Sequence, residues 1–153
     1  MNVKDRLAPK DSARVMDLVA AAGVDVAPWA QSKKGPVLVP ASNPAYCYEW
    51  AFVQLGQVVV LNLWHDQIDE LNGQLSSVLN LRAWAEKLRT WSELRPSQCS
   101  VGLGRAKRME KAIAYAYENQ LPIRVIVGAA QGATRRTRTR RPRRSRASNS
   151  GSV

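Results

Sequence analysis

Hydrophobic residues recur at helical spacing in three stretches of the chain. In the first, residues 11–23, Val15, Leu18, Val19 and Ala22 stand at i, i+3, i+4 and i+7, the stripe of an amphipathic helix. Asp11 or Ser12 is suited to cap its first amides, and Gly23 to end it in the left-handed conformation. The second stretch follows Asn80, a good cap, and aligns Leu81, Trp84, Ala85, Leu88 and Trp91 on one face, with Pro96 as its stop. Gly102 and Gly104 then read as the break before a third helix, residues 105–119, with Ala106, Met109, Ile113, Ala116 and Tyr117 near one face.

Two runs follow a different pattern. A-Y-C-Y-E-W-A-F-V (45–53) and Q-V-V-V-L-N-L-W-H (57–65) are rich in β-branched and aromatic residues and flank Gln54, Leu55 and Gly56, which predicts a hairpin. A turn centred on Leu55 and Gly56 pairs positions whose numbers sum to 111. Phe52 then faces Val59, Trp50 faces Leu61, Tyr48 faces Leu63 and Tyr46 faces His65. The opposite surface carries Val53 with Val58, Ala51 with Val60, Glu49 with Asn62 and Cys47 with Trp64. A slip of one residue would exchange the faces of one strand. Pro122 opens I-R-V-I-V-G, expected as a short strand internal to the sheet. Between these elements, Pro28 starts a turn with Trp29 as its anchor, residues 31–44 read as a loop, and D-Q-I-D-E-L-N-G-Q (66–74) reads as an acidic loop or turn. The order α-β-β-α-α-β predicts a single small α+β domain over residues 1–132. Its antiparallel or mixed sheet, the hairpin plus the C-terminal strand, would carry about three helices on one side.

Charge changes this picture at one end. The formal net charge is +11, but eight of the 23 basic residues are the arginines of residues 133–153, a stretch without an acidic residue. The remainder holds 15 basic and 12 acidic residues, or +3. A block of like charge resists collapse, so residues 133–153 are expected to be a disordered tail. Guanidinium groups stay ionised and grip phosphate through two parallel hydrogen bonds. Arg135, Arg136, Arg138, Arg140, Arg141, Arg143, Arg144 and Arg146 therefore point to nucleic acid, DNA more than RNA, with affinity that falls steeply with salt. A second basic set, Arg105, Lys107, Arg108 and Lys111, falls in the first two turns of the third predicted helix, where cations oppose the helix dipole and an anionic partner would explain them. Two distant cysteines, Cys47 and Cys99, and the lack of a long apolar run fit a cytoplasmic protein with no membrane span, nucleoid-associated if the host is bacterial.

Candidate chemistry is sparse. The one histidine, His65, stands beside Asp66, Asp69 and Glu70, and with Glu49 on the neighbouring strand Glu49, His65 and Asp66 would make a small metal-dependent or acid-base centre. A lone histidine at a strand end beside an acidic loop also serves a purely structural role, so a small nuclease-like enzyme built on these three residues is the alternative and not the leading reading; neither a cofactor nor a metal is expected in the leading one. V-G-L-G-R-A-K-R lacks the G-x-G-x-x-G and G-K-S/T features of nucleotide loops. Of the aromatic residues, most suit a core, and Trp64, on the mixed face, is the one most suited to stacking on a base. A protein-interaction module with an acidic partner is a third reading of the tail.

Four stretches, M-D-L-V-A-A-A-G-V-D-V, N-P-A-Y-C-Y-E-W-A-F, V-V-V-L-N-L-W-H-D and R-A-K-R-M-E-K-A-I-A-Y-A-Y-E-N-Q-L-P-I-R-V-I-V, resemble an uncharacterised bacterial module found at the N-terminal end of HNH-type restriction endonucleases. The resemblance covers about residues 11–128. It implies a DNA-associated recognition domain, one that senses DNA modification, but supplies no nuclease: an HNH site needs at least two histidines around a metal, and this chain has His65 alone. The basic tail stands where that family would carry its catalytic domain.

Overall fold

The computed structural model describes residues 2–10, 13–78, 80–90 and 96–129, with Leu88 and Pro96 described in backbone only. The fold is α+β. One helical turn, α1 (Val3–Arg6), precedes α2 (Val15–Ala21). The N-cap of α2 is Arg14, which makes no side-chain cap; instead it pairs with Asp17 one turn on. Asp11 and Ser12, expected as caps, lie outside the described residues. Gly23 does end the helix at φ +101°, with Val24 N–H donating to Val19 O.

A 3-10 turn at Ala27–Ala30 seats Trp29 as the expected anchor, buried between Tyr46 and Phe52 at ring-centroid distances of 5.3 and 5.8 Å. The 31–44 segment is more ordered than a plain loop. It forms a two-strand ribbon, β1 (Gln31–Ser32) with β2 (Gly35–Pro36), and is tied down by the buried Asn43. The Asn43 amide donates to Trp29 O and Gln31 O, and its oxygen accepts from Ala45 N–H, so burying it leaves no polar atom without a partner.

The hairpin is present, in a different register. β3 (Ala51–Gln54) pairs antiparallel with β4 (Val58–Trp64), Phe52 facing Val60 and Ala51 facing Leu61, so paired positions sum to 112. The cause is the turn. Gln57 N–H donates to Gln54 O, Gly56 takes φ +71°, and the loop holds three residues rather than two. Tyr115 reaches over from a helix and its hydroxyl accepts the Gly56 N–H at 2.8 Å. Residues 45–50, expected in the first strand, lie outside it, with 45–48 in a turn.

β4 is followed by a 3-10 turn at His65–Gln67 and then by a second hairpin, β5 (Asp69–Leu71) with β6 (Gln74–Ser76). The acidic segment read as a loop is thus a ribbon, closed by Asn72 and Gly73, both at positive φ (53° and 75°), the backbone of a type I′ turn.

α3 (Leu81–Thr90) begins as expected, with Asn80 Oδ1 accepting from Ala83 N–H at 2.9 Å. α4 differs: it runs from Pro96 to Glu118. Pro96 opens this helix, a position where its missing N–H costs nothing, and Gly102 and Gly104 lie inside it. α4 ends with Gln120 at φ 51° and Leu121 N–H donating to Ala116 O, which turns the chain into β7 (Ile123–Gly128).

β7 pairs parallel with β4, giving the sheet order β3-β4-β7. β7 is an edge strand, not an internal one, and Ile123 and Val125 are exposed accordingly. The internal strand is β4. Its Val58, Val59, Val60 and Leu61 are all buried, because helices cover both faces of the sheet rather than one. On one face Val58, Val60, Phe52 and Ile126 pack with Val19 of α2 and with Trp29; on the other Val59, Leu61 and Leu63 pack with Met109, Ala112 and Ala116 of α4. Tyr117, expected on the buried face of α4, is exposed.

Candidate nucleic-acid interface

The basic residues of α4 sit mid-helix, since the helix starts at Pro96, and the dipole argument for an anion there does not hold. Their environments divide them. Arg108 is engaged by Glu49 through two hydrogen bonds, Nε to Oε2 at 3.0 Å and Nη2 to Oε1 at 2.7 Å. Hydrogen bonding to that carboxylate raises the guanidinium pKa above its ordinary value. Gly104 leaves the room this requires: a Cβ there would stand 3.1 Å from Arg108 Nη1. Arg105 lies over the Tyr48 ring, 5.6 Å from its centroid. Lys107 and Lys111 are exposed and form no ion pair among the described residues. Lys107 borders a groove between α3 and α4 that Arg82 and Arg89 also line, with Glu86 and Glu110. Glu86 is bonded to Arg89. Among the described residues of α4, the basic side chains open to a phosphate are therefore Lys107 and Lys111, with Arg105 over Tyr48 and the exposed Arg82 of α3 lining the same groove as Lys107.

The acid-base alternative is not assembled. Glu49 is committed to Arg108, and His65 donates from Nε2 to Lys4 O at 2.9 Å. Glu70 bonds Val3 N–H and Lys4 N–H, so His65 and Glu70 together pin the N-terminal turn to the second hairpin. Asp66 is exposed on its 3-10 turn. Among the described residues no group of three or more His, Cys, Asp or Glu side chains is placed to hold a metal ion. Cys47 is half-buried in a turn, and burial raises its thiol pKa, opposite to what a nucleophile needs.

Trp64 closes β4 and takes part in something the sequence did not reveal. Trp50, before β3, and Trp84, on α3, meet edge to face with centroids 4.6 Å apart and an interplanar angle of 74°. Together with Trp64 they line a cavity of about 170 Å³ floored by the buried Met109 and bordered by Asn62, Gln67 and Asn80. Trp64 lies opposite Gly128 in the β4–β7 register, and a Cβ at residue 128 would stand 3.1 Å from Trp64 Cε3 and Cζ3. The absence of a side chain at Gly128 is what lets the indole lie there. The signal for this group was present as three separate tryptophans; bringing them together required the position of α3 over the sheet.

The arginines of residues 135–146 lie outside the described residues, but the chain reaches them from a known point. Gly128 ends β7 beside Trp64, and Arg135 follows seven residues later. An extended chain of that length spans at most about 25 Å. None of the described helices is long and apolar enough to cross a membrane. In comparisons with known proteins, no family model, no curated protein and no solved structure matches this chain.

Proposed function

We propose that this protein binds nucleic acid, DNA in preference to RNA, through phosphate contacts from the arginines of residues 133–153. The observation that carries the reading is that charge: eight arginines and no acidic residue, on a chain whose other 132 residues are nearly balanced. Such contacts supply affinity and orientation but do not read bases. Lys107 and Lys111 add cations on the folded part, and the resemblance of residues 11–128 to a DNA-associated module points the same way. The engagement of Glu49 by Arg108 speaks against a nuclease built on Glu49, His65 and Asp66.

The test is a salt titration of binding to a labelled duplex. A full-length variant with the eight arginines replaced by glutamine is compared with the natural chain. If every arginine meets a phosphate, the slope of log K against log salt loses about 7 in the variant, or some four decades of affinity between 50 and 200 mM salt. Equal slopes for the two chains would contradict the reading. Binding to polyglutamate as tight as to DNA would favour an acidic protein partner instead.

A further inference from the structure

Among the described residues β7 pairs with β4 alone, and Val59 N–H donating to Pro122 O fixes which of its backbone groups face inward. In a parallel ladder alternate residues turn N–H and C=O to the same neighbour, so Arg124, Ile126 and Gly128 serve β4 while Ile123, Val125 and Val127 point theirs away from it. No described residue hydrogen-bonds that outward row. We infer that β7 is the pairing edge of a homodimer, in which it lies antiparallel to β7 of a second copy and joins two three-stranded sheets into one. The dimer does not depend on nucleic-acid binding.

Sheet edges that stay solitary are blunted by shortness, proline, a bulge or a charge directed into the gap. The other edge, β3, is four residues long. β7 has six, Ile-Arg-Val-Ile-Val-Gly, in unbroken register with β4 and without proline. Its one charge is drawn aside: Arg124 lies on the α2 face beside Val60, and its Nη1 donates to Ala22 O at 3.2 Å. The apolar side chains stay open. α4 lies over β3 and β4, which leaves Ile123 43% and Val125 48% exposed beside the outward backbone groups.

Symmetry selects a second copy of this chain and one register. Two identical antiparallel strands related by a two-fold axis normal to the sheet pair positions whose numbers sum to an even value, because opposed residues share a face. Hydrogen bonding also sets outward residues opposite outward residues. An axis through Val125 satisfies both: Val125 faces Val125 of the second copy, and Ile123 of each copy faces Val127 of the other. Every outward residue then meets an apolar partner on the α4 face, while Arg124 falls opposite Ile126 of the second copy. Moving the axis to Arg124 would lose the pairing of Val127 within the strand and set the two arginines against each other. Strand pairing of this length buries less than the roughly 1,200 Å² of a standard interface, so half-dissociation is expected at about 1–100 μM.

The experiment is sedimentation of nuclease-treated full-length protein from about 5 to 300 μM, in about 0.3 M salt to screen repulsion between the basic copies. The mass is expected to rise from that of one chain toward that of two. Val125→Lys puts two ammonium groups opposite each other at the axis and should weaken association at least about tenfold, as should Val125→Glu. Mixing these two variants sets opposite charges across the axis, and the mixed dimer should be at least about fivefold tighter than either variant alone. Val125→Pro removes an outward N–H but no bond to β4, and should leave a monomer. If it does not fold by circular dichroism, the two charged variants decide. A natural chain that stays monomeric at the highest concentration would overturn the inference. So would a dimer that the folded charged variants form as readily as the natural chain, since the interface would then lie elsewhere, and so would one lost on nuclease treatment. No gain on mixing would overturn the register centred on Val125.

Discussion

The two faces of the central sheet use tryptophan in opposite ways. On the α2 face Trp29 is 2% exposed, stacked between Tyr46 and Phe52, with its own carbonyl held by the buried Asn43. On the α4 side Trp50 and Trp84 are only half-buried and border a space rather than fill it. The difference arises from what covers each face. Trp29 comes from a short 3-10 turn clamped against the sheet by the ordered 31–44 segment. Among the described residues α4 covers this face near Met109, and α3 borders the cavity through Leu81 and Trp84. One face closes a core, and the other keeps an aromatic recess.

The largest expected effect tests the closed face. Trp29→Ala removes a side chain from the centre of one cluster and is expected to cost about 3–5 kcal/mol, read from urea or thermal unfolding. Trp84→Ala should cost less than about 2 kcal/mol, because its ring is half-buried and borders a space that already exists. Similar losses for the two would mean that the α4 face is packed like the other.

A middle effect sharpens the contrast without emptying anything. Gly128→Ala puts a methyl group 3.1 Å from the Trp64 ring, so the indole must tilt. Stability is expected to change by no more than about 1 kcal/mol, since residue 128 has no positive φ to defend. A loss above about 2 kcal/mol in urea unfolding would show that the Trp64 ring cannot yield.

The smallest effect concerns pH on the closed face, where Cys47 packs against the Trp29 cluster. Burial holds its thiol pKa above the ordinary 9.0. The unfolded chain therefore loses this proton first as pH rises. The stability that the neutral thiol contributes is complete below pH 9 and is lost as pH climbs through the folded-state value. Cys47→Ala should flatten the alkaline end of the stability profile; an identical slope would show the thiol to be uninvolved.

How far the sequence foretells this depends on whether the signal is local. Asn80 as a cap, Gly23 as a stop and Trp29 as an anchor were legible because each acts within a few residues. The α+β class followed from where periodicity changes from helical to alternating. The hairpin register was not legible, since Leu55-Gly56 suits a two-residue turn as well as the three-residue loop that forms, and the hydroxyl of Tyr115 on the Gly56 amide comes from 59 residues away. Gly102 and Gly104 read as breakers because their helix penalty is local, whereas what offsets it is not: Gly102 is buried, and Gly104 makes room for Arg108 to reach Glu49. The Asn72-Gly73 hairpin was a missed local signal, obscured by the acidic residues around it. Lys4 O as the partner of His65 and the meeting of three tryptophans depend on contacts across the fold, which no spacing rule contains.

Affinity for nucleic acid is proposed to reside in the arginines of residues 133–153. The most direct measurement is the salt slope of duplex binding for the natural chain and for the eight-arginine-to-glutamine chain. A slope shallower by about 7 in the variant is predicted if all eight arginines meet phosphate; two chains with the same slope would contradict the account.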